Sequence, residues 1–136
     1  MKKIVLDALV QNLDLLNDFV HGELKDNSVS LKTQNQIDLA VEEIFVNIAS
    51  YAYGSQHGKV EVSIQTDKNP LRTTIVFTDS GVSFNPLAKE DPDVTLGASE
   101  RSIGGLGIFL TKKYMDSVDY CRKEEKNIFT MVKNLE

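Results

Sequence analysis

The sequence predicts an α/β two-layer sandwich of the α+β type, in which helices cover one face of a mostly antiparallel sheet. Three observations predict it. Apolar residues recur at helical spacing in three segments, short runs rich in β-branched residues lie between and after those segments, and polar turns join neighbouring strands as hairpins. Segments in this order favour helices packed on a single face of the sheet.

The elements are predicted in the order strand, helix, helix, strand, strand, helix, strand, strand. The strands are expected at residues 3–6, 58–66, 73–78, 118–122 and 127–133. The second helix is the longest and is expected to run to about residue 51, with Thr33 and Gln36 as a capping box at its start. The three helices carry apolar stripes, formed by Leu9, Leu13, Leu16, Phe19 and Val20, by Ile37, Val41, Ile44 and Ile48, and by Leu106, Phe109, Leu110 and Tyr114.

Composition narrows the classes of function. At 136 residues the chain has the length of one domain, which we expect to span residues 1–136. A net charge of −5 argues against a nucleic-acid partner. No apolar run is long enough to cross a bilayer, so we expect a cytoplasmic protein with no membrane partner. Cys121 is the single cysteine, without a metal-ligand pattern around it, and we expect a buried thiol.

Glu43 and Asn47 form the first candidate site. Four residues advance a helix by about 400°, so the two side chains project from one side of the second helix. An amide oxygen suits Mg²⁺, and a carboxylate can accept a proton, which together suit an Mg²⁺-nucleotide site. The same spacing also fits a solvated helix face.

Asp79 and Gly81 form the second candidate site, at the end of the predicted strand 73–78. An ionised Asp79 can accept a hydrogen bond from an exocyclic amine such as that of adenine, and Gly81 removes the Cβ that would keep a flat ring from the backbone. Asp-Ser-Gly is also an ordinary turn sequence. The following residues, 80–103, are too long for a simple connection and are expected to form a lid.

A glycine-rich entry into the third helix is the third candidate site. Gly104, Gly105, Leu106 and Gly107 would let successive N–H groups face an anion at the positive end of the helix, and phosphate is the natural ligand. Arg101 lies just upstream and could reach a terminal phosphate. A flexible hinge before the helix also fits this composition.

The order of the three motifs resembles that of the GHKL (Bergerat) superfamily, and in particular the serine/threonine kinases that act as anti-sigma factors. Residues 38–47 (DLAVEEIFVN) resemble the N box of these kinases, residues 79–86 (DSGVSFNP) resemble the first glycine box, and residues 100–110 (ERSIGGLGIFL) resemble the second. The similarity extends over nearly the whole chain.

The resemblance implies a Bergerat ATP-binding fold, with ATP and Mg²⁺ as cofactors. It implies that Asn47 holds Mg²⁺ and that Asp79 binds the adenine amino group. It further implies that Gly105 and Gly107 line the phosphates and that Glu43 is the general base. The implied partners are a STAS-type anti-sigma-factor antagonist as the phosphorylated substrate and a sigma factor that competes with it, and the implied assembly is a homodimer.

The sequence departs from the family pattern at three places. Tyr51 and Ala52 replace a His-Gly pair, residues 94–98 lack a Thr-Thr pair, and residues 127–130 (NIFT) replace a Gly-Thr box. Two alternatives to a serine/threonine kinase stay open. One is an ATP-sensing interaction module without transfer activity, and the other is a severed histidine-kinase ATPase domain.

Overall fold

The computed structural model describes residues 1–54, 56–88 and 105–136, and for residues 105 and 106 it describes the backbone alone. In this part of the chain the strands and helices follow one another in the predicted order. The strands are β1 (Lys2–Asp7), β2 (Lys59–Asp67), β3 (Arg72–Asp79), β4 (Ser117–Lys123) and β5 (Lys126–Asn134). The helices are α1 (Leu13–Leu24), α2 (Leu31–Asn47) and α3 (Gly105–Tyr114).

The five strands form one sheet in the order β1-β2-β3-β5-β4, and every neighbouring pair is antiparallel. β3 therefore lies in the middle of the sheet, between β2 and β5. The register places Asp79 at the end of β3 directly opposite Asn127 at the start of β5. The predicted fold class, with helices on one face of an antiparallel sheet, is confirmed.

The core lies between the helices and the inward-facing residues of β2, β3 and β5. Because side chains alternate along a strand, each of these strands contributes every second residue to the core. The largest fully buried side chains on both layers are Phe45, Phe77, Leu16, Leu24, Ile37, Ile44, Ile64, Ile75 and Met131. Burying each such side chain contributes about 1.5–3 kcal/mol to folding, so this layer holds the helices against the sheet.

The N-cap of α2 is Ser30, and the predicted capping box at Thr33 and Gln36 is wrong. The Ser30 Oγ accepts a hydrogen bond from the backbone N–H of Thr33 at 3.1 Å and donates to Thr33 Oγ1 at 3.0 Å. The helix begins at Leu31, so Thr33 already lies within its first turn. Both Ser30 and Thr33 are residue types that cap helices. An N-cap residue has a non-helical backbone, and Ser30 is extended whereas Thr33 lies inside the helix, so Ser30 is the cap.

The helical path of α2 continues past Asn47 through one π-helical turn, Ile48–Ala52. The helix was predicted to run to about residue 51, which agrees with this end. π-helical turns occur mostly as single turns, frequently at functional sites. This turn carries Ile48 and Ala52 to the end of β3, where the candidate site lies.

Cys121 is exposed, so the prediction of a buried thiol is wrong. Strand alternation explains the difference. On β4, Val118 and Tyr120 pack against the core, which turns Cys121 to the opposite, open face of the sheet. β4 is also an edge strand, so its outward-facing residues have a neighbouring strand on one side only.

No helix in residues 1–54, 56–88 or 105–136 is long and apolar enough to cross a membrane.

The cap assignment predicts a difference between two substitutions. Ser30→Ala removes the acceptor for the Thr33 N–H and is expected to lower the free energy of unfolding by about 1 kcal/mol. Thr33→Ala keeps that acceptor and is expected to cost less. Urea unfolding of both variants measures the difference. A larger loss for Thr33→Ala than for Ser30→Ala would contradict the assignment.

Candidate functional site

Asp79 is a buried carboxylate at the end of β3, with 5% of its surface exposed. Its Oδ1 accepts hydrogen bonds from the backbone N–H of Gly81 and from Asn127 Nδ2, both at 2.9 Å. Among the described residues, no group donates to Oδ2. One carboxylate oxygen is therefore fixed by the protein, and the other is open to a ligand.

Asn127 connects Asp79 to the segment that follows β3. Its Nδ2 donates to Asp79 and also to the carbonyl oxygen of Val82, at 2.8 Å. Its Oδ1 accepts from Tyr120 Oη at 2.5 Å and from Arg122 Nη1 at 3.1 Å. Arg122 Nη1 donates to the Gly81 carbonyl oxygen as well, at 2.8 Å. Side chains from β4 and β5 therefore hold the end of β3 and the start of the next segment.

Glu43 and Asn47 project from the same side of α2, as their spacing predicts. Asn47 Nδ2 donates to Glu43 Oε1 at 3.0 Å and to the Glu43 carbonyl oxygen at 2.9 Å. Both amide hydrogens of Asn47 are thereby engaged. Within the described residues no group donates to its Oδ1, which leaves this hard oxygen ligand open to a cation or a ligand.

Asn47 and Asp79 share one pocket between the end of α2 and the ends of β3, β4 and β5. Apart from a few polar side chains, the pocket is lined mainly by apolar and aromatic groups. Such a combination is typical of small-molecule sites, in which a few polar groups fix the orientation of the ligand. The lining residues are Ile44, Asn47, Ile48, Ala52, Asp79, Phe84, Pro86, Tyr120, Asn127 and Phe129.

The first turn of α3 lies against Glu43. A Cβ built on Gly107 would collide with the Glu43 carboxyl group, so a residue with a side chain at position 107 would displace this carboxyl group. Glu43 is in turn hydrogen-bonded to Asn47. The structure thus brings three predicted site residues, Glu43, Asn47 and Asp79, to one region together with Gly107.

The pKa of the Glu43 carboxyl is raised above its ordinary value. Burial of the carboxyl group is the main cause, and the charge of Glu42 adds to it. The hydrogen bond from Asn47 acts in the opposite direction, because it stabilises the ionised form. A raised pKa makes Glu43 a stronger proton acceptor than an exposed glutamate.

Gly81 is required by packing within the protein. The Cβ of any other residue at position 81 would collide with the backbone carbonyl group and the side chain of Ala52. We predicted that Gly81 leaves room for a flat ring. The space beside its Cα is instead filled by the π-helical turn, and the neighbouring Val82 N–H donates to the Ala52 carbonyl oxygen at 2.7 Å.

The other residues predicted for the site are described in part or not at all. Gly105 begins α3, and only its backbone and that of Leu106 are described. Arg101, Gly104 and most of the predicted lid, residues 89–103, lie outside the described residues.

Sequence reasoning missed three residues of this site, which are Tyr120, Arg122 and Asn127. In the sequence, Asn127 stands out only as a departure from the Gly-Thr box. It lies 48 residues from Asp79, and only the register between β3 and β5 brings the two together. A polar residue at an inward-facing position of an otherwise apolar strand is the signal that could have found it, since buried polar groups require partners.

Comparison with known families identifies the fold. Residues 6–133 match the family described as histidine kinase-like ATPase domain, and the chain therefore belongs to this family. This family belongs to the GHKL superfamily, which the three sequence motifs resemble. Membership makes this a kinase-like ATPase domain, and the broader assignment made from the sequence is confirmed. Curated proteins give no significant sequence match.

Solved structures show the same fold. One is the crystal structure of the RsbU and RsbW domains of Rv1364c from Mycobacterium tuberculosis, with a TM-score of 0.63 and 10% identity over 99% of this chain and 33% of that chain. Another is the blue-light activated histidine kinase EL346 of Erythrobacter litoralis, with a TM-score of 0.58 and 16% identity over 79% of this chain and 32% of that chain. This chain thus spans about a third of the length of either structure, and at these identities the likeness concerns the fold.

The contacts of the glycines predict three different costs of substitution by alanine. Gly81→Ala drives a Cβ into the backbone of Ala52 and is expected to destabilise the fold by about 1–3 kcal/mol. In Gly107→Ala the atoms nearest to the added Cβ are those of the Glu43 carboxyl group, the end of a flexible side chain, and the substitution is expected to cost less. Gly22→Ala, within α1 and with nothing within 4 Å of the added Cβ, is expected to stabilise by up to about 1 kcal/mol. Urea unfolding compares the three variants. A Gly81→Ala variant as stable as the unsubstituted protein would refute the packing explanation.

Proposed function

We propose that this chain binds ATP together with Mg²⁺ and transfers the terminal phosphoryl group to a serine or threonine of a protein. One observation carries the proposal. Asn47 and Asp79 line a single pocket, and Glu43, which is hydrogen-bonded to Asn47, contacts the first turn of α3. Phosphoryl transfer depends mainly on positioning and on neutralisation of charge, and these residues supply groups for both.

The adenine ring would lie in the apolar pocket, with its amino group donating to Asp79 Oδ2. Membership of the ATPase family supports this assignment. The open Oδ2 of a carboxylate whose other oxygen is fully engaged supports it as well. Ile48 and Phe84 are among the residues that would contact the faces or edges of the ring.

Magnesium would be held by Asn47 Oδ1, and the ion would neutralise charge on the phosphates. The open amide oxygen fits this ligand, since Mg²⁺ prefers oxygen and is commonly held by a few protein oxygens together with phosphates and water. In residues 1–54, 56–88 and 105–136 there is no cluster of three or more His, Cys, Asp or Glu that could hold a metal alone. Phosphate oxygens would complete the coordination.

The phosphates would lie at the start of α3. The first N–H groups of a helix have no partner within the helix, and the helix dipole favours an anion there. We assign phosphate contacts to Gly104, Gly105, Leu106 and Gly107, and a contact with the terminal phosphate to Arg101. The position of Gly107 beside Glu43 supports a site in which the phosphates and the base are close together.

Glu43 would accept the proton of the substrate hydroxyl group as that oxygen attacks the terminal phosphorus. Its raised pKa suits this role, because a base is most effective when its pKa approaches the working pH. Asn47 would hold the carboxylate in place through its hydrogen bond to Oε1.

A STAS-type antagonist of an anti-sigma factor would be the protein substrate, and a sigma factor would be a competing partner that the chain sequesters. The resemblance of residues 38–47, 79–86 and 100–110 to the anti-sigma-factor kinases supports this assignment. The same resemblance supports a homodimer. The similarity of fold to a chain that carries RsbU and RsbW domains agrees with a regulatory role.

The role of Glu43 predicts that Glu43→Gln retains ATP binding and loses phosphotransfer. The amide keeps an acceptor for Asn47 Nδ2 but cannot take a proton, so transfer is expected to fall by about 10²- to 10⁴-fold. The measurement is phosphoserine formation on a STAS-domain protein with ATP and Mg²⁺, beside ATP affinity by calorimetry. Undiminished turnover in Glu43→Gln would exclude Glu43 as the base. ATP binding without any transfer by the unsubstituted protein would favour the ATP-sensing module.

The raised pKa of Glu43 predicts a pH dependence. Transfer by the unsubstituted protein should decline as the pH falls through this pKa, because the protonated carboxyl group cannot accept a proton.

The role of Asp79 predicts that Asp79→Asn weakens ATP binding. To keep the two hydrogen bonds at Oδ1, the new amide must place its oxygen there, which turns its NH₂ group toward the amino group of adenine. Two donors then face each other, and ATP affinity is expected to fall about 10- to 100-fold. Asp119→Asn, an equal change of charge on the exposed side of β4, is the matched control. Equal ATP affinity in both variants would contradict the adenine pocket.

A further inference from the structure

We propose that Asn127 is a positioning residue that sets the base selectivity of the pocket by holding Asp79 as an acceptor. The inference rests on the proposed binding of ATP and extends it to a residue outside the three motifs. Asn127 and Asp79 are directly opposite each other on β5 and β3, with their side chains on the same face of the sheet. Each has 5% of its surface exposed.

The orientation of the Asn127 amide is determined by its neighbours. Its Oδ1 receives hydrogen bonds from Tyr120 Oη, from Arg122 Nη1 and, at 3.4 Å, from the backbone N–H of Phe84. Arginine has donors only, so a flipped amide would place its NH₂ group against the Arg122 donor and its oxygen against the Asp79 carboxylate. The amide therefore presents Nδ2, a donor, to Asp79.

This fixed donor decides what Asp79 offers to a ligand. Oδ1 receives two N–H groups, one from Asn127 and one from Gly81, and this leaves the other carboxylate oxygen, Oδ2, to face a ligand. An ionised carboxylate only accepts hydrogen bonds, so Oδ2 selects a ring that carries a donor at this point. An amino-substituted ring such as adenine satisfies Oδ2, and a ring with a carbonyl oxygen in the same place repels it.

Asn127 acts on the ligand through Asp79. Its two amide hydrogens are donated to Asp79 Oδ1 and to the Val82 carbonyl oxygen, so neither is available to a ligand. The preference for one nucleotide over another should therefore depend on the residue at position 127, even though both donors of Asn127 are used within the protein. A residue that only maintained the fold would change affinity for all nucleotides alike.

The test compares ATP with inosine triphosphate, which differs from ATP in having an oxygen in place of the 6-amino group. The unsubstituted chain is expected to prefer ATP by at least about 10-fold. Asn127→Asp keeps the shape of the side chain and replaces the donor with an oxygen. Two carboxyl groups in contact share a proton, so Asp79 can then donate as well as accept. The preference for ATP is expected to fall to less than about 3-fold.

Calorimetric dissociation constants for both nucleotides give the ratio, and thermal melting verifies that each variant is folded. Asn35→Asp, the same substitution at an exposed position of α2, should keep the unsubstituted ratio. A ratio in Asn127→Asp equal to that of the unsubstituted chain, even with both affinities weakened, overturns the inference alone. Absence of ATP binding in the unsubstituted chain overturns the proposed function and this inference with it.

Tyr120→Phe provides a second variant should Asn127→Asp not fold. It keeps the aromatic ring in the pocket wall and removes one of the hydrogen bonds that orient the amide. The preference for ATP is expected to decrease, by less than in Asn127→Asp because Arg122 and the backbone N–H of Phe84 still donate to the amide oxygen. An unchanged preference in Tyr120→Phe would overturn the inference.

Discussion

The close approach of two backbone segments, at Ala52 and at Gly81, is the constraint on which the candidate site depends. The Cα of Gly81 lies against the Ala52 carbonyl group, and the next residue, Val82, donates its N–H to the same oxygen. This contact joins the end of the helical path of α2 to the end of β3. Asn47 and Asp79 belong to these two elements, and they reach one pocket only because the elements meet so closely. The absence of a side chain at position 81 is thus a condition for the site to exist.

Polar groups at the site carry an energetic cost in the folded protein. Glu43 is partly buried with a raised pKa, which means that its charged form is less favourable in the folded protein than in water. Asn47 Oδ1 and Asp79 Oδ2 have no donor among the described residues. Elsewhere the buried side chains are mainly apolar, and the buried hydroxyl groups of Thr73 and Thr111 donate to backbone carbonyl oxygens. Such local departures from good packing and full hydrogen bonding are expected where a ligand completes the structure.

The sequence predicted the elements well because their hydrophobic periodicity is strong. Each predicted strand lies within two residues of the observed one, and the helical path of α2, with the π-helical turn that continues it, ends at Ala52, close to the predicted end at residue 51. Errors arose where two residues of similar chemistry competed, as with Ser30 and Thr33, or where the face of an edge strand had to be assigned, as with Cys121. In both cases the deciding factor was a backbone conformation or a packing partner that periodicity does not contain.

The candidate site was predictable in part for a related reason. Glu43 and Asn47 are neighbours on one helix, so their spacing alone determines that their side chains meet. Asn127 reaches Asp79 across 48 residues of sequence, through a strand order in which β5 lies between β3 and β4. No local pattern contains that order. The contact between Asn127 and Asp79 follows from the register of the sheet.

The exposed thiol of Cys121 has a practical consequence for biophysical work on this protein. It is the single cysteine of the chain, so a maleimide-linked fluorophore or spin label would attach at one defined point without prior mutagenesis. The attachment point lies on the open side of the sheet, while its neighbours Tyr120 and Arg122 reach toward the pocket on the other side. A reporter at Cys121 would lie across the sheet from the hydrogen bonds around Asp79 and would leave the pocket itself unmodified.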